Sequence, residues 1–140
     1  MAAVTGGRDR TAVITGIGVV APGGIGVSAF WDLLTAGRSA TRQITLFDAQ
    51  GFRSRIAAEC DFDPVAAGLT AEQAARLDRT TQFALVAAAE AMRDSGLDFT
   101  ATDPYRLGTV IGGAVGCTIR LEEQYKAVSG DGRDLSLIHI

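Results

Sequence analysis

Cysteine and histidine are nearly absent from this sequence, and their scarcity removes several kinds of protein at once. The chain of 140 residues holds two cysteines, Cys60 and Cys117, and a single histidine, His139. The cysteines lie far apart with no CxxC pair and no run of histidines, so neither a zinc site nor a disulfide framework is indicated. Two unpaired thiols fit a reducing cytoplasm, which is the expected location. Clustered positive charge is missing too. The net charge is −3 and the basic residues are scattered, which leaves no electrostatic footprint for nucleic acid. No nucleic-acid or membrane partner is expected.

Glycine, by contrast, is abundant. Seventeen glycines are nearly twice the average share of about 7%, while the hydrophobic and charged fractions are ordinary for a soluble globular protein. They argue for tight turns between short elements and against a helical bundle. Many fall in Thr11–Gly26, TAVITGIGVVAPGGIG, part of a longer uncharged run between Arg10 and Asp32. Such an opening suits a signal peptide, the first strand and phosphate loop of a nucleotide fold, or a buried strand with its exit turn. The signal-peptide reading is weakened by Gly16 and Gly18, which interrupt the apolar run, by Pro22-Gly23-Gly24 and by the absence of leucine from the segment.

Residues 1–10 read as a leader. Thr11–Thr15 is apolar on both faces, as expected for a strand between helix layers, and Gly16–Gly26 is a turn region where backbones approach closely. Phe30, Leu33 and Leu34 mark one face of a helix over Ser28–Ala36, with Ser28 as N-cap and Gly37 just past its end. Ile44–Phe47 and Ile56–Ala58 are brief extended pieces, and Asp63-Pro64 is a break. Thr70-Ala-Glu-Gln73 is a capping-box pattern that opens the longest helix, running to about Ser95. The Phe83–Met92 half is apolar almost all round, the profile of a helix buried in a large protein. Gly96-Leu97 suits a Schellman ending. Leu107–Ile111 is a second buried strand, and Ile119–Val128 a further helix bearing Leu121, Tyr125 and Val128 on one face. The order is α/β, and two buried strands alone do not make a sheet.

Few residues invite chemistry. Gly16-x-Gly18-x-x-Ala21 after a strand matches the dinucleotide fingerprint, but that motif needs a helix to begin inside the glycine turn. Pro22-Gly23-Gly24 forbids one, and no acidic residue ends a second strand at the required distance: Asp32 falls in a helix and Asp48 in a loop. An NAD-binding Rossmann protein is therefore a remote alternative. Cys117, between a strand and a helix, resembles a nucleophile position, yet cysteine catalysis needs a base and none stands nearby. A small buried residue is the plainer account. Cys60 has less around it still, and Asp78, Arg79, Glu122 and Glu123 are expected to cap helices or lie on solvated faces. No catalytic, cofactor-binding or metal-binding residue is assigned.

The string itself is more specific than its motifs. Gly16-x-Gly18-x-x-Ala21-Pro22, then Phe30-Trp31-x-Leu33-Leu34-x-x-Gly37, resembles the opening of the β-ketoacyl synthases, thiolase-fold condensing enzymes. Arg53-Ser-Arg-Ile-Ala-Ala-Glu59 with Asp61-Phe-Asp-Pro64 narrows the resemblance to the ketosynthase-α subunit of aromatic (type II) polyketide synthases. Asp78-Arg79-x-x-Gln82-Phe83-Ala84 and Gly116-Cys117-Thr118 with Leu121-Glu122-Glu123 continue it. The resemblance implies a thiolase-like α-β-α-β-α layered fold and decarboxylative Claisen condensation of acyl and malonyl thioesters. It also implies an acyl carrier protein bringing its own phosphopantetheine arm, a chain-length partner subunit as heterodimer, and no metal or soluble cofactor. The family's nucleophilic cysteine lies on a later strand-to-helix turn and its two histidines beyond that, so none can be placed on a residue here. The chain is expected to be roughly the first third of an enzyme, inactive alone, with apolar faces uncovered and the isolated piece insoluble or molten. The non-condensing partner subunit and a fatty-acid β-ketoacyl synthase are the alternatives.

Leu135-Ser-Leu-Ile-His-Ile140 is the peptide that CTG TCT CTT ATA CAC ATC, the end of a transposon-derived sequencing adapter, would encode; a real strand with alternating pattern is the alternative. The genuine domain portion is accordingly expected to span 11–134, with 135–140 an assembly artefact.

Overall fold

The computed structural model describes residues 11–113, 116 and 118–131. Residues 1–10, expected to be a leader, Cys117, and residues 135–140, expected to be an artefact and including His139, lie outside them. Thr11–Val19 forms no helix or strand, and the first regular element is a hairpin, β1 (Val20–Ala21) against β2 (Gly24–Ile25), in antiparallel register Val20↔Ile25 and Ala21↔Gly24, prolonged by Gly26 N–H to Val19 O at 2.8 Å. Pro22 and Gly23 form its two-residue turn. The proline ring fixes the first central residue, and Gly23 takes φ 82 at the second, the combination a type II turn requires.

Helix α1 covers Val27–Thr35, and its N-cap is Gly26, not Ser28; no side chain caps it. Leu33 is its buried residue. Its end follows expectation: Gly37 N–H reaches Leu34 O at 3.0 Å and Arg38 N–H reaches Leu33 O at 3.3 Å, the paired bonds of a Schellman motif. The chain next forms a second antiparallel hairpin, β3 (Arg42–Gln43) with β4 (Ile56–Ala57), extended by Ile44 N–H to Arg55 O at 2.9 Å. The expected extended piece Ile44–Phe47 is not a strand: β3 ends at Gln43, and of those four residues Ile44 alone adds a cross-hairpin backbone bond.

The long helix expected from Thr70 to Ser95 is two. The capping box forms as read, with Gln73 N–H on Thr70 Oγ1 at 3.1 Å and Thr70 N–H on Gln73 Oε1 at 2.9 Å. The helix it opens, α2, stops after Ala71–Arg76, and Leu77 turns extended. Asp78 then caps a new helix, α3 (Arg79–Ser95), by accepting from Thr80 N–H at 2.9 Å. Gln82 stabilises the break: its buried side-chain amide donates to Ala74 O and Leu77 O, both at 2.9 Å, satisfying carbonyls that the interrupted helix leaves open. At the other end Gly96 is left-handed and bonds Arg93 O, while Leu97 N–H goes to Ser95 Oγ, so the six-to-one Schellman bond is missing. A 3₁₀ turn at Pro104–Arg106 and helix α4 (Thr118–Asp131) complete the described chain.

Neither predicted buried strand is a strand here. Thr11–Thr15 and Leu107–Ile111 carry no ladder, and their apolar side chains face outward: Val13 is 73% exposed and Val110 98%. The physical reason is pairing. A strand exists only where a neighbour takes its backbone groups, and among the described residues neither segment has one. Leu85 and Met92 of α3 are exposed as well. The buried apolar residues are Leu33 and Ala49 alone among those described.

Side chains do the work that strands would do. Val19 N–H and Val27 N–H, on opposite sides of the first hairpin, both donate to the Glu90 carboxylate at 2.8 Å, and Ile17 N–H donates to Asp94 Oδ2 at 2.9 Å. The same segment lies against α3 so closely that a Cβ on Gly18 would sit 1.8 Å from Ala87 O, and one on Gly16 2.1 Å from Ala91 O. In the second hairpin, Glu59 is 7% exposed and accepts Thr45 N–H (2.9 Å), Thr45 Oγ1–H (2.8 Å), Leu46 N–H (3.0 Å) and Arg42 Nε–H (3.4 Å). Arg42 also pairs with Asp61.

Two predictions follow from these ties. Gly18→Ala drives its Cβ into the α3 backbone at Ala87 and Ala91 and is expected to destabilise the segment by about 1–3 kcal/mol, the usual cost of overpacking. Amide exchange at Ile17 and Val19 should quicken, whereas Gly108→Ala, with nothing within 4 Å, should leave it unchanged. The second concerns acid. The backbone amides of Thr45 and Leu46 hold Glu59 from 4.5 down to about 2. A carboxylate depressed on folding stabilises fully above its unfolded pKa and loses that contribution as pH falls through the folded one. Protection at Thr45 and Leu46, corrected for intrinsic exchange, should therefore decline between pH 4.5 and about 2, and Glu59→Gln should remove that dependence.

Candidate functional site

The two hairpins and the N-terminal part of α3 line an open cleft of about 350 Å³, at the small end of the range for ligand pockets. Val20 and Pro22 come from the first hairpin, Ile44, Leu46 and Ala57–Cys60 from the second, and Arg79 and Phe83 from α3. Arg79 departs from the solvated face expected of it. Its guanidinium lies 4.9 Å from the Phe83 ring and 5.8 Å from the Phe62 ring, which meet each other edge to face at 4.8 Å. Its Nη2 donates to Cys60 O at 2.7 Å. A weakly hydrated planar cation is the basic group suited to such stacking.

The cleft lacks the parts of a reaction centre. Burial pushes the Cys60 thiol up from its ordinary value, against the smaller opposing pull of the Arg79 charge. A thiol held protonated is the reverse of an activated nucleophile. Glu59, the carboxylate in the wall, is committed to four hydrogen bonds and sits near a pKa of 2, too acidic to exchange protons near neutrality. Among the described residues no group of three His, Cys, Asp or Glu could hold a metal ion, and no helix is long and apolar enough to cross a membrane.

The glycine-rich segment is no phosphate cradle either. A dinucleotide loop aims free amides and a helix N-terminus at the pyrophosphate. Here Val20–Ala21 is a strand, and the amides of Ile17, Val19 and Val27 already point at Asp94 and Glu90. Two carboxylates in that position would repel a phosphate. Asp32 lies on α1 and Asp48 caps the Gln50 amide at 2.9 Å, so neither meets a ribose. Of the residues expected to be structural, Asp78 caps α3, while Glu122 pairs with Lys126 at 2.7 Å and Glu123 with Arg120 at 3.2 Å on the exposed surface of α4.

Sequence reading missed Glu59, Glu90 and the lodged Arg79. A usable sign existed for Glu90, the lone charge in Phe83–Met92. An isolated carboxylate in an apolar run must find hydrogen bonds wherever that run packs.

Comparison with known proteins completes the picture. The family model for the β-ketoacyl synthase N-terminal domain matches residues 9–138. The tetracenomycin polyketide synthase ketoacyl synthase alpha subunit of Streptomyces glaucescens is 60% identical over 124 residues, 89% of this chain and 29% of that protein. The 3-oxoacyl-[acyl-carrier-protein] synthase 2 of Coxiella burnetii is 43% identical over 126 residues, 89% of this chain and 30% of that protein. Among solved structures, the ishigamide ketosynthase/chain length factor matches with a TM-score of 0.60 and 31% identity, covering 91% of this chain and 32% of that one. The chain thus spans under a third of the relatives it matches. With one family model running through nearly all of it and a ketosynthase/chain length factor structure sharing its course in space, this thiolase-like α/β chain belongs to the β-ketoacyl synthase family, within that family's N-terminal domain.

Proposed function

We propose that the protein of which this chain is a part is a β-ketoacyl-acyl carrier protein synthase of polyketide, antibiotic-type, biosynthesis. The observation that carries the reading is the identity of 60% to a polyketide ketoacyl synthase alpha subunit, set against 43% to a 3-oxoacyl carrier protein synthase. The reaction is a two-stage acyl transfer. A cysteine thiolate on a later strand-to-helix turn takes the acyl group from a carrier-protein thioester, releasing the carrier thiol. Malonyl on a second carrier protein then loses CO₂; the enolate left behind attacks the cysteinyl thioester and expels the cysteine. Two histidines beyond that turn polarise the thioester carbonyl and stabilise the enolate, which is electrostatic work.

The residues described here supply scaffold. In the α-β-α-β-α layering proposed for the whole domain, Thr11–Thr15 and Leu107–Ile111 take their places as sheet strands once neighbours pair with them, and α3 covers them. The carrier protein delivers its substrate on its own phosphopantetheine arm, so no metal or soluble cofactor is invoked, and the setting is cytoplasmic. A chain-length partner subunit forms the heterodimer, a reading supported by the ketosynthase/chain length factor neighbour.

The test is to read the locus onward and assay the product. The complete protein, expressed with its partner subunit, carrier protein and malonyl thioester, should release CO₂ and load β-ketoacyl chains visible by mass spectrometry of the carrier protein. A residue other than cysteine at the later turn, together with no condensation, would overturn the reading in favour of the non-condensing partner subunit. Within the same assay, Cys60→Ala should leave the rate unchanged, because burial raises its thiol away from the thiolate form; abolished condensation with unchanged thermal stability would contradict that.

A further inference from the structure

We draw no further inference here: the strongest candidate, the exposed Phe47–Phe52 aromatic pair beside Arg53 and Arg55 on the loop of the second hairpin, carries nothing because nothing in the structure shows what covers it.

Discussion

The Glu90 carboxylate is the tie on which the rest of the architecture depends. Its two oxygens take the amides of Val19 and Val27, which flank the first hairpin and stand 71 and 63 residues away in sequence. One side chain thereby fixes both ends of the hairpin to α3, and with them the start of α1. Asp94, one turn further along α3, takes Ile17 in the same way. Charge-assisted bonds to backbone amides are stronger than neutral ones, and here they hold amides that no strand partner takes.

Close approach and hydrogen bonding are two sides of one arrangement. For the carboxylates of Glu90 and Asp94 to reach amides at 2.8 and 2.9 Å, the segment must lie almost on the helix backbone. That is possible only where both surfaces are small. Gly16 and Gly18 meet Ala87, Ala91 and Ser95, residues four apart on one face of α3. The glycine motif that resembles a phosphate loop therefore does the opposite of cradling an anion. It brings backbone donors to anions that the protein already owns.

What could be read from the sequence was what local chemistry decides. The capping box at Thr70 and Gln73 and the helix stop at Gly37 each involve residues within a few positions of one another, and each forms. The break between α2 and α3 was hidden because Gln82 reaches back eight residues to Ala74 O, a relation no helical periodicity encodes. Glu59 was hidden for the same reason, its partners Thr45 and Leu46 lying across a hairpin loop. The two apolar strands failed differently. Their apolar composition suggests burial, but a strand also needs a neighbour to take its backbone groups, and among the described residues neither segment has one.

That distinction also explains why the family was legible where the site was not. Identity rests on how each residue fits neighbours throughout a finished fold, so every segment carries a share of it, including exposed Val13 and Val110. Catalysis rests on a few groups brought to one point, and a segment either contains them or does not. In the cleft between the hairpins, burial raises the one thiol and hydrogen bonding depresses the one carboxylate. Both shifts move the groups away from reactivity near neutrality. The same forces that make these residues good structural members move them away from chemical roles in the cleft as described.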